Sequence, residues 1–245
     1  MTYCVGLLID EGLVMAADTR TNAGLDNVGK FKKLHTWAKE GERVFVLLTA
    51  GNLAVTQAVT SLLNEAMDGK NSKTSPDSLF AAKTMFQAAR IVGKAIREVR
   101  KLHGEHLGAS GEAFAASFIF GGQIGKERPR LFQIYPEGNF IEATPDTPFF
   151  QIGEHKYGKP ILDRVADAKM ALGEAAKMVL ISFDSTLRSN MSVGLPIDML
   201  TYENRTLKFE HVKRIGEDDP YFRLVSGEWS KALRGAFKNI PPFDI

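Results

Sequence analysis

The sequence predicts an α+β protein built as a four-layer αββα sandwich, two antiparallel sheets facing each other with helices on the outer faces. Three observations carry this reading. The run from Thr2 to Ile9 is almost uninterruptedly apolar, whereas a strand exposed on one face would alternate, so this strand is covered on both sides. Strand-like and helix-like stretches come in blocks rather than as alternating βαβ units, which favours antiparallel sheets with segregated helices. Between residues 113 and 143 three short apolar runs follow one another through Gly/Pro turns, the pattern of a meander.

Taken in order, Thr2 to Ile9 forms the first strand, Glu11-Gly12 turns it, and Leu13 to Ala17 completes a hairpin ending at Asp18. Arg43 to Ala50 is a third buried strand, broken by Gly51-Asn52. From Leu53 to Met67 the spacing is helical, with Leu53, Ala54, Ala58, Leu62, Leu63 and Ala66 as the apolar stripe. Ser75-Pro76-Asp77 offers an N-cap hydroxyl, a first-turn proline and an early acid, which predicts a helix running from there to about His103. Ala113 to Ile124, Arg130 to Tyr135 and Phe140 to Ala143 are the meander, and Phe149 to Ile152 is a short strand before Gly153. Helices follow over Lys159 to Ala168 and Glu174 to Ser189, then strands over Ser192 to Tyr202 and Thr206 to Val212. A last helix is expected between Pro220 and Asn239, around Trp229, Leu233 and Phe237. No linker, repeat or low-complexity segment divides the chain, so residues 1–245 are expected to form one domain with a C-terminal extension after about 213.

With 245 residues, 44% of them hydrophobic, the chain can bury a substantial core. A net charge of +2 and no basic block beyond Lys32-Lys33 point away from nucleic acid. A lone cysteine, Cys4, excludes an internal disulfide and fits a reducing compartment. Asp10 and Glu11 interrupt the first apolar run too early for a secretory signal, and nothing approaches the roughly 20 apolar residues of a membrane span. A cytoplasmic location is expected.

The chemistry is expected at the start of the chain. A methionine followed by a small residue favours removal of the initiator, which would give Thr2 a free α-amine. A threonine hydroxyl is a weak nucleophile until a base takes its proton. The α-amine, with an ordinary pKa of about 7.7–8.0, can be that base within the same residue. A nearby ammonium would keep the amine unprotonated; Lys33 is the candidate, held by Asp18. Gly51 is the candidate oxyanion donor, because the absent side chain lets its N–H approach a substrate carbonyl.

Thr2, the hairpin GLVMAADTR, the segment FKKLH and LLTAGN, with Thr2, Asp18, Arg20, Gly24, Lys33 and Gly51 in that order, together resemble the β-type peptidase subunits of the proteasome family. These are N-terminal nucleophile hydrolases. MTYCVGLLID, DTRTNAG and the long C-terminal extension look like its bacterial branch called Anbu, the ancestral β subunit. The resemblance implies Thr2 as nucleophile and base, Asp18 and Lys33 as the charge pair, and Gly51 at the oxyanion. It implies backbone contacts from Thr21 to an extended substrate, and a selectivity pocket lined by Phe31, His35, Thr49 and Leu53 that takes small or apolar side chains. No cofactor and no metal are implied. Peptide or unfolded protein is the implied substrate, with subunits associating so that the sites face a restricted space. An ATP-dependent unfoldase would fit the family, but no residue here identifies one.

Two departures stand out. Where the family has serine after the glycine of the segment matching Phe150 to Gly153, this chain has Glu154. Where the family has Asp-x-x-Ser, this chain has Ser189-Asn190-Met191-Ser192, keeping the hydroxyl at Ser192 and losing the carboxylate at Ser189. Glu154 is expected to restore the missing charge from another direction. Without that compensation the chain would be a weak or inactive scaffold; a third reading is an amidase acting on a small amide. Ordinary roles stay open as well: Asp18 as a turn former, Gly51 as a strand end, Glu154 as a surface charge, Ser189 and Ser192 as helix-end hydroxyls. His103 and His106 lie in a glycine-rich helix exit with no third ligand nearby, so metal binding is not expected there.

Overall fold

The computed structural model describes residues 1–22, 28–68, 72–109 and 114–244. Its elements in chain order are β1 (Tyr3–Ile9), β2 (Gly12–Asp18), β3 (Arg20–Asn22), β4 (Val28–Lys30), β5 (Leu34–Lys39), β6 (Arg43–Gly51), α1 (Leu53–Asp68) and α2 (Met85–Ala109). Then come β7 (Ala116–Ile124), β8 (Arg130–Ile134), β9 (Phe140–Glu142), β10 (Phe149–Gly153), α3 (Lys159–Val165), α4 (Leu172–Ser189), β11 (Ile197–Glu203), β12 (His211–Ile215) and α5 (Pro220–Asn239). One five-stranded antiparallel sheet has the order β10-β1-β2-β11-β12 and the other β5-β6-β7-β8-β9. β3 and β4 pair separately, with Thr21 opposite Gly29.

Strand pleating sorts the core into three layers, because successive side chains point to opposite faces. In β1, Tyr3, Val5, Leu7 and Ile9 pack with Leu162, Met178, Val179 and Phe183 of the helices beyond the first sheet. Cys4 points the other way and joins Leu13, Met15, Val44, Val46, Leu48 and Ile119 between the two sheets. In β6, Phe45 and Leu47 turn outward to meet Val59, Leu63, Val92 and Ile96 of α1 and α2. The uniformly apolar first strand is therefore explained: both its faces are core.

Several sequence expectations are corrected. The helix expected from Ser75 begins only at Met85. Ser75-Pro76-Asp77 is a turn closed by Ser78 N to Ser75 O at 3.1 Å, and a short 3-10 turn at Leu79–Ala81 follows. The helix start is held instead by Thr84, whose Oγ1 accepts from Gln87 N at 3.2 Å, while Gln87 Oε1 accepts from Lys83 N at 2.9 Å; Thr84-x-x-Gln87 is the capping signature that sequence reading passed over. The buried face of α1 is Val55, Thr56, Val59, Thr60, Leu63 and Met67; of the expected stripe Leu63 lies on it, and Ala58 and Leu62 pack partly buried beside it. Its threonines can be buried because their hydroxyls bond back into the helix, Thr60 Oγ1 to Thr56 O at 3.1 Å and Thr56 Oγ1 to Leu53 O at 3.0 Å. β5 was not anticipated, and it pairs along β6 from Leu34 opposite Leu48 to Lys39 opposite Arg43. The strand expected from Ser192 starts at Ile197, and the one expected from Thr206 starts at His211.

Candidate active site

Thr2 precedes β1 and is buried. The peptide joining it to Tyr3 is held from both sides: Glu154 N donates to Thr2 O at 2.6 Å, and Tyr3 N donates to Asp18 Oδ1 at 3.0 Å. Farther along the same residue, the Tyr3 hydroxyl is locked on the helical side by Ser182 Oγ at 2.5 Å and Gln151 Nε2 at 2.6 Å; burial pushes its pKa up to about 12. Gly153 stands opposite Tyr3 in the ladder with φ +82°, and a Cβ there would lie 2.0 Å from Thr2 O. Only glycine allows β10 to come this close to the start of the chain.

Asp18 ends β2 and is wholly buried. Lys33 Nζ donates to Asp18 Oδ1 at 2.7 Å and to Arg20 O at 2.5 Å, with Lys33 only 4% exposed, so the ion pair is desolvated. Gly194 N adds a third donor to Asp18, on Oδ2 at 3.3 Å. Burial pushes the Asp18 carboxyl up, and the Lys33 ammonium with the two backbone donors pulls against it. One carboxylate thus links the lysine, the residue after Thr2 and the segment before β11.

Lys33 is carried by the second sheet, since its carbonyl accepts from Thr49 N at 3.0 Å beside β6. Gly51 closes β6 opposite Ala116, exposed and with φ +108°; a Cβ there would lie 2.0 Å from Ala115 O. Asn52 Oδ1 then caps α1 through Ala54 N at 3.0 Å and Val55 N at 3.3 Å.

Glu154 is buried, and Asn190, which sequence reading did not single out, joins it. Glu154 Oε1 accepts from His155 N at 2.9 Å and Lys156 N at 2.8 Å, and Oε2 accepts from Asn190 Nδ2 at 2.7 Å. Asn190 Oδ1 accepts from Ser192 N at 2.9 Å. Burial raises the Glu154 carboxyl, but these donors outweigh it and hold the group below its ordinary value. Ser189 is exposed at the end of α4 and takes no part, whereas Ser192 is half-buried beside the network. The structure therefore brings Thr2, Asp18, Lys33, Glu154 and Ser192 into linked hydrogen bonds and leaves Ser189 outside. Met1 is 63% exposed, with its Sδ 3.9 Å from Asn190 Nδ2.

Among the pocket candidates, Phe31 is exposed and its N–H donates to Thr19 O at 2.9 Å. His35 lies on β5 stacked 6.3 Å from Trp37. Its pKa is pushed down to about 4, by burial first and by Lys32 second. Thr49 is buried, its carbonyl accepting from Cys4 Sγ at 3.6 Å, and Leu53 is half-buried at the first turn of α1. The Thr21 hydroxyl is buried with no hydrogen-bond partner among the described residues. His103 is exposed; the side chain of His106, and Gly24, lie outside the described residues. Among the described residues no group of three metal-capable side chains converges, and no helix is long and apolar enough to cross a membrane.

The fold, and a family model described as "Proteasome subunit" that matches residues 2–201, define the class: the chain belongs to the proteasome subunit family. Within it, solved Anbu structures are the particular likeness. The Anbu (Gly-1) mutant from Hyphomicrobium sp. strain MC1 is 60% identical with a TM-score of 0.92, covering 100% of both chains. Anbu (ancestral beta-subunit) from Yersinia bercovieri is 44% identical with a TM-score of 0.91 over 99% of each chain. The structure titled helical assembly of the Anbu complex from Pseudomonas aeruginosa is 43% identical with a TM-score of 0.93, over 99% of this chain and 98% of that one. Proteasome subunit beta type-7-A of Arabidopsis thaliana is 25% identical over 237 residues, 94% of this chain and 75% of that protein.

Proposed function

We propose that the chain is a threonine-type peptidase subunit whose nucleophile is Thr2, freed by removal of Met1. The observation that carries this is Asp18 Oδ1, which holds both Lys33 Nζ and Tyr3 N and so seats a buried ammonium one residue from Thr2. Lys33 disfavours a second positive charge on the α-amine and keeps it a base near neutral pH. The amine takes the Oγ proton as Oγ attacks the substrate carbonyl, and the Gly51 N–H meets the developing oxyanion. The acyl-enzyme is released by water activated by the same amine. An extended peptide adds beside Thr21 and Gly51 as an extra strand. With His35 neutral above about pH 4, the pocket of Phe31, His35, Thr49 and Leu53 takes small or apolar side chains.

Self-association is part of the same proposal. Residues 231–244 are exposed throughout, including Leu233, Phe237, Ile240 and Phe243, and a protein 43% identical has been solved as a helical assembly. A second copy of this chain is the partner that apolar tail fits. The deciding experiment is intact mass after exposure to a peptide epoxyketone. Protein lacking Met1 gains one adduct at position 2, and Thr2→Ala gains none; an unmodified wild type with a free Thr2 amine refutes the peptidase.

A further inference from the structure

Asn190 is bonded at both ends of its side-chain amide, to Glu154 Oε2 and to Ser192 N, and both Asn190 and Glu154 are buried. An ionised carboxylate offers about four acceptor sites. His155 N, Lys156 N and Asn190 Nδ2 fill three on Glu154, which leaves one on Oε2 among the described residues. The same Asn190 nitrogen lies 3.9 Å from Met1 Sδ, so Asn190 and the Glu154 oxygen it holds lie near the side chain of residue 1. Meanwhile the Glu154 N–H fixes the Thr2 carbonyl.

From this geometry we infer that Asn190 and Glu154 act as one positioning pair for the α-amine of Thr2. Asn190 holds Glu154 Oε2 in place, and the open acceptor site receives the ammonium that forms when the amine takes the proton from Thr2 Oγ. In that step the Oγ–H bond breaks and an N–H bond forms. The new positive charge then sits between Lys33, which opposes it, and Glu154, which stabilises it. The inference rests on the peptidase reading.

The charged groups around the amine come from several elements. Asp18 at the end of β2 is paired with Lys33 ahead of β5. Arg20 of β3 donates to Met191 O, and Lys156 and His155 follow Glu154 in the chain. Of the buried acids in this group, Asp18 is neutralised by its lysine, which leaves Glu154 to balance the ammonium. The pair also answers the departures seen in sequence: the carboxylate that Ser189 lacks arrives from the residue after β10, and the neighbour Asn190 anchors it.

The test reads the amine directly. Protein lacking Met1, verified by mass and labelled at threonine methyl groups, is titrated by NMR through the pKa of the Thr2 amine. Glu154→Gln lowers that pKa by about one unit, as expected for removing a neighbouring opposite charge. Glu154→Gln with Asn190→Asp, which moves the carboxylate to the other end of the same hydrogen bond, brings it back towards the wild-type value. Asn190→Ala lowers it by a smaller amount and serves if Glu154→Gln does not fold. An unchanged pKa in Glu154→Gln, or in Asn190→Ala when that variant stands in for it, or a double variant that titrates like Glu154→Gln alone, overturns the pair. Epoxyketone uptake reports separately: shifts in the amine pKa without any wild-type adduct refute the peptidase and the proton transfer, and leave only the contact between Glu154 and the amine.

Discussion

Two residues set the electrostatics of the candidate site, and each gives a measurable outcome. Lys33→Ala leaves the Asp18 carboxylate buried without its cation, a change that lowers stability by about 3–5 kcal/mol in comparable sites. Chemical denaturation at pH 7 checks this, and epoxyketone uptake is lost in parallel. Lys33→Met with Asp18→Asn, which leaves no buried charge, recovers stability but not uptake. His35 works through pH. Its folded pKa of about 4 lies below the ordinary 6.5, so the unfolded chain binds a proton first as pH falls. Stability is therefore lost between about pH 6.5 and 4, by on the order of 3 kcal/mol. His35→Asn removes that share, so the difference between denaturation midpoints at about pH 7 and pH 4.5 narrows; an equal difference in both proteins counts against a neutral buried imidazole. Residue by residue, the pairing of Lys33 with Asp18 was legible, because an ammonium proposed to sit beside Thr2 calls for an acid to hold it. Asn190 was not, because its role arises from a bond to Glu154, 36 residues away in sequence.

Elements show the same division between local and distant causes. β1, β2 and β6 were readable because both their faces are apolar, and α5 because its periodic pattern is bounded by Pro220. The start of α2 was misplaced because Ser75-Pro76 mimics a helix cap, whereas the cap is made nine residues later at Thr84. The buried face of α1 was misread because its threonines satisfy their own hydroxyls, which makes them apolar in effect. β5 was missed because its half-buried, mixed sequence shows its role only once β6 is beside it. The turn leaving β10 carries the prediction at this scale. Gly153→Ala combines an unfavourable φ with a Cβ 2.0 Å from Thr2 O, and is expected to cost more than about 2 kcal/mol and to abolish epoxyketone uptake. Gly125→Ala, also at positive φ but with nothing within 4 Å, costs about 1 kcal/mol and leaves uptake intact. Thermal denaturation of both variants separates backbone strain from the clash at Thr2.

Across the whole molecule, the family match ends at residue 201, so β12 and α5 lie beyond it. α5 is anchored by Phe222 and Val225, while residues 231–244 are exposed throughout. Deleting residues 231–245 removes little buried apolar area, Leu233 being about half covered, so the unfolding free energy of the isolated subunit changes by about 1 kcal/mol. Sedimentation is expected to change far more, with the truncated protein running as smaller species than the full chain. Unchanged particle size would move the self-association surface elsewhere. The grip on the Thr2–Tyr3 peptide has its own consequence. Its holders, Asp18 of β2 and Glu154 at the exit of β10, and the groups that hold Asp18 in turn, Lys33 ahead of β5 and Gly194 ahead of β11, are far apart in sequence, so the seat is finished only when distant parts of the chain have met. A nascent or damaged polypeptide carries the same threonine with nothing arranged around it, and the hydroxyl there is as inert as any other. Maturation of the fold is thus itself the safety catch on the proposed chemistry.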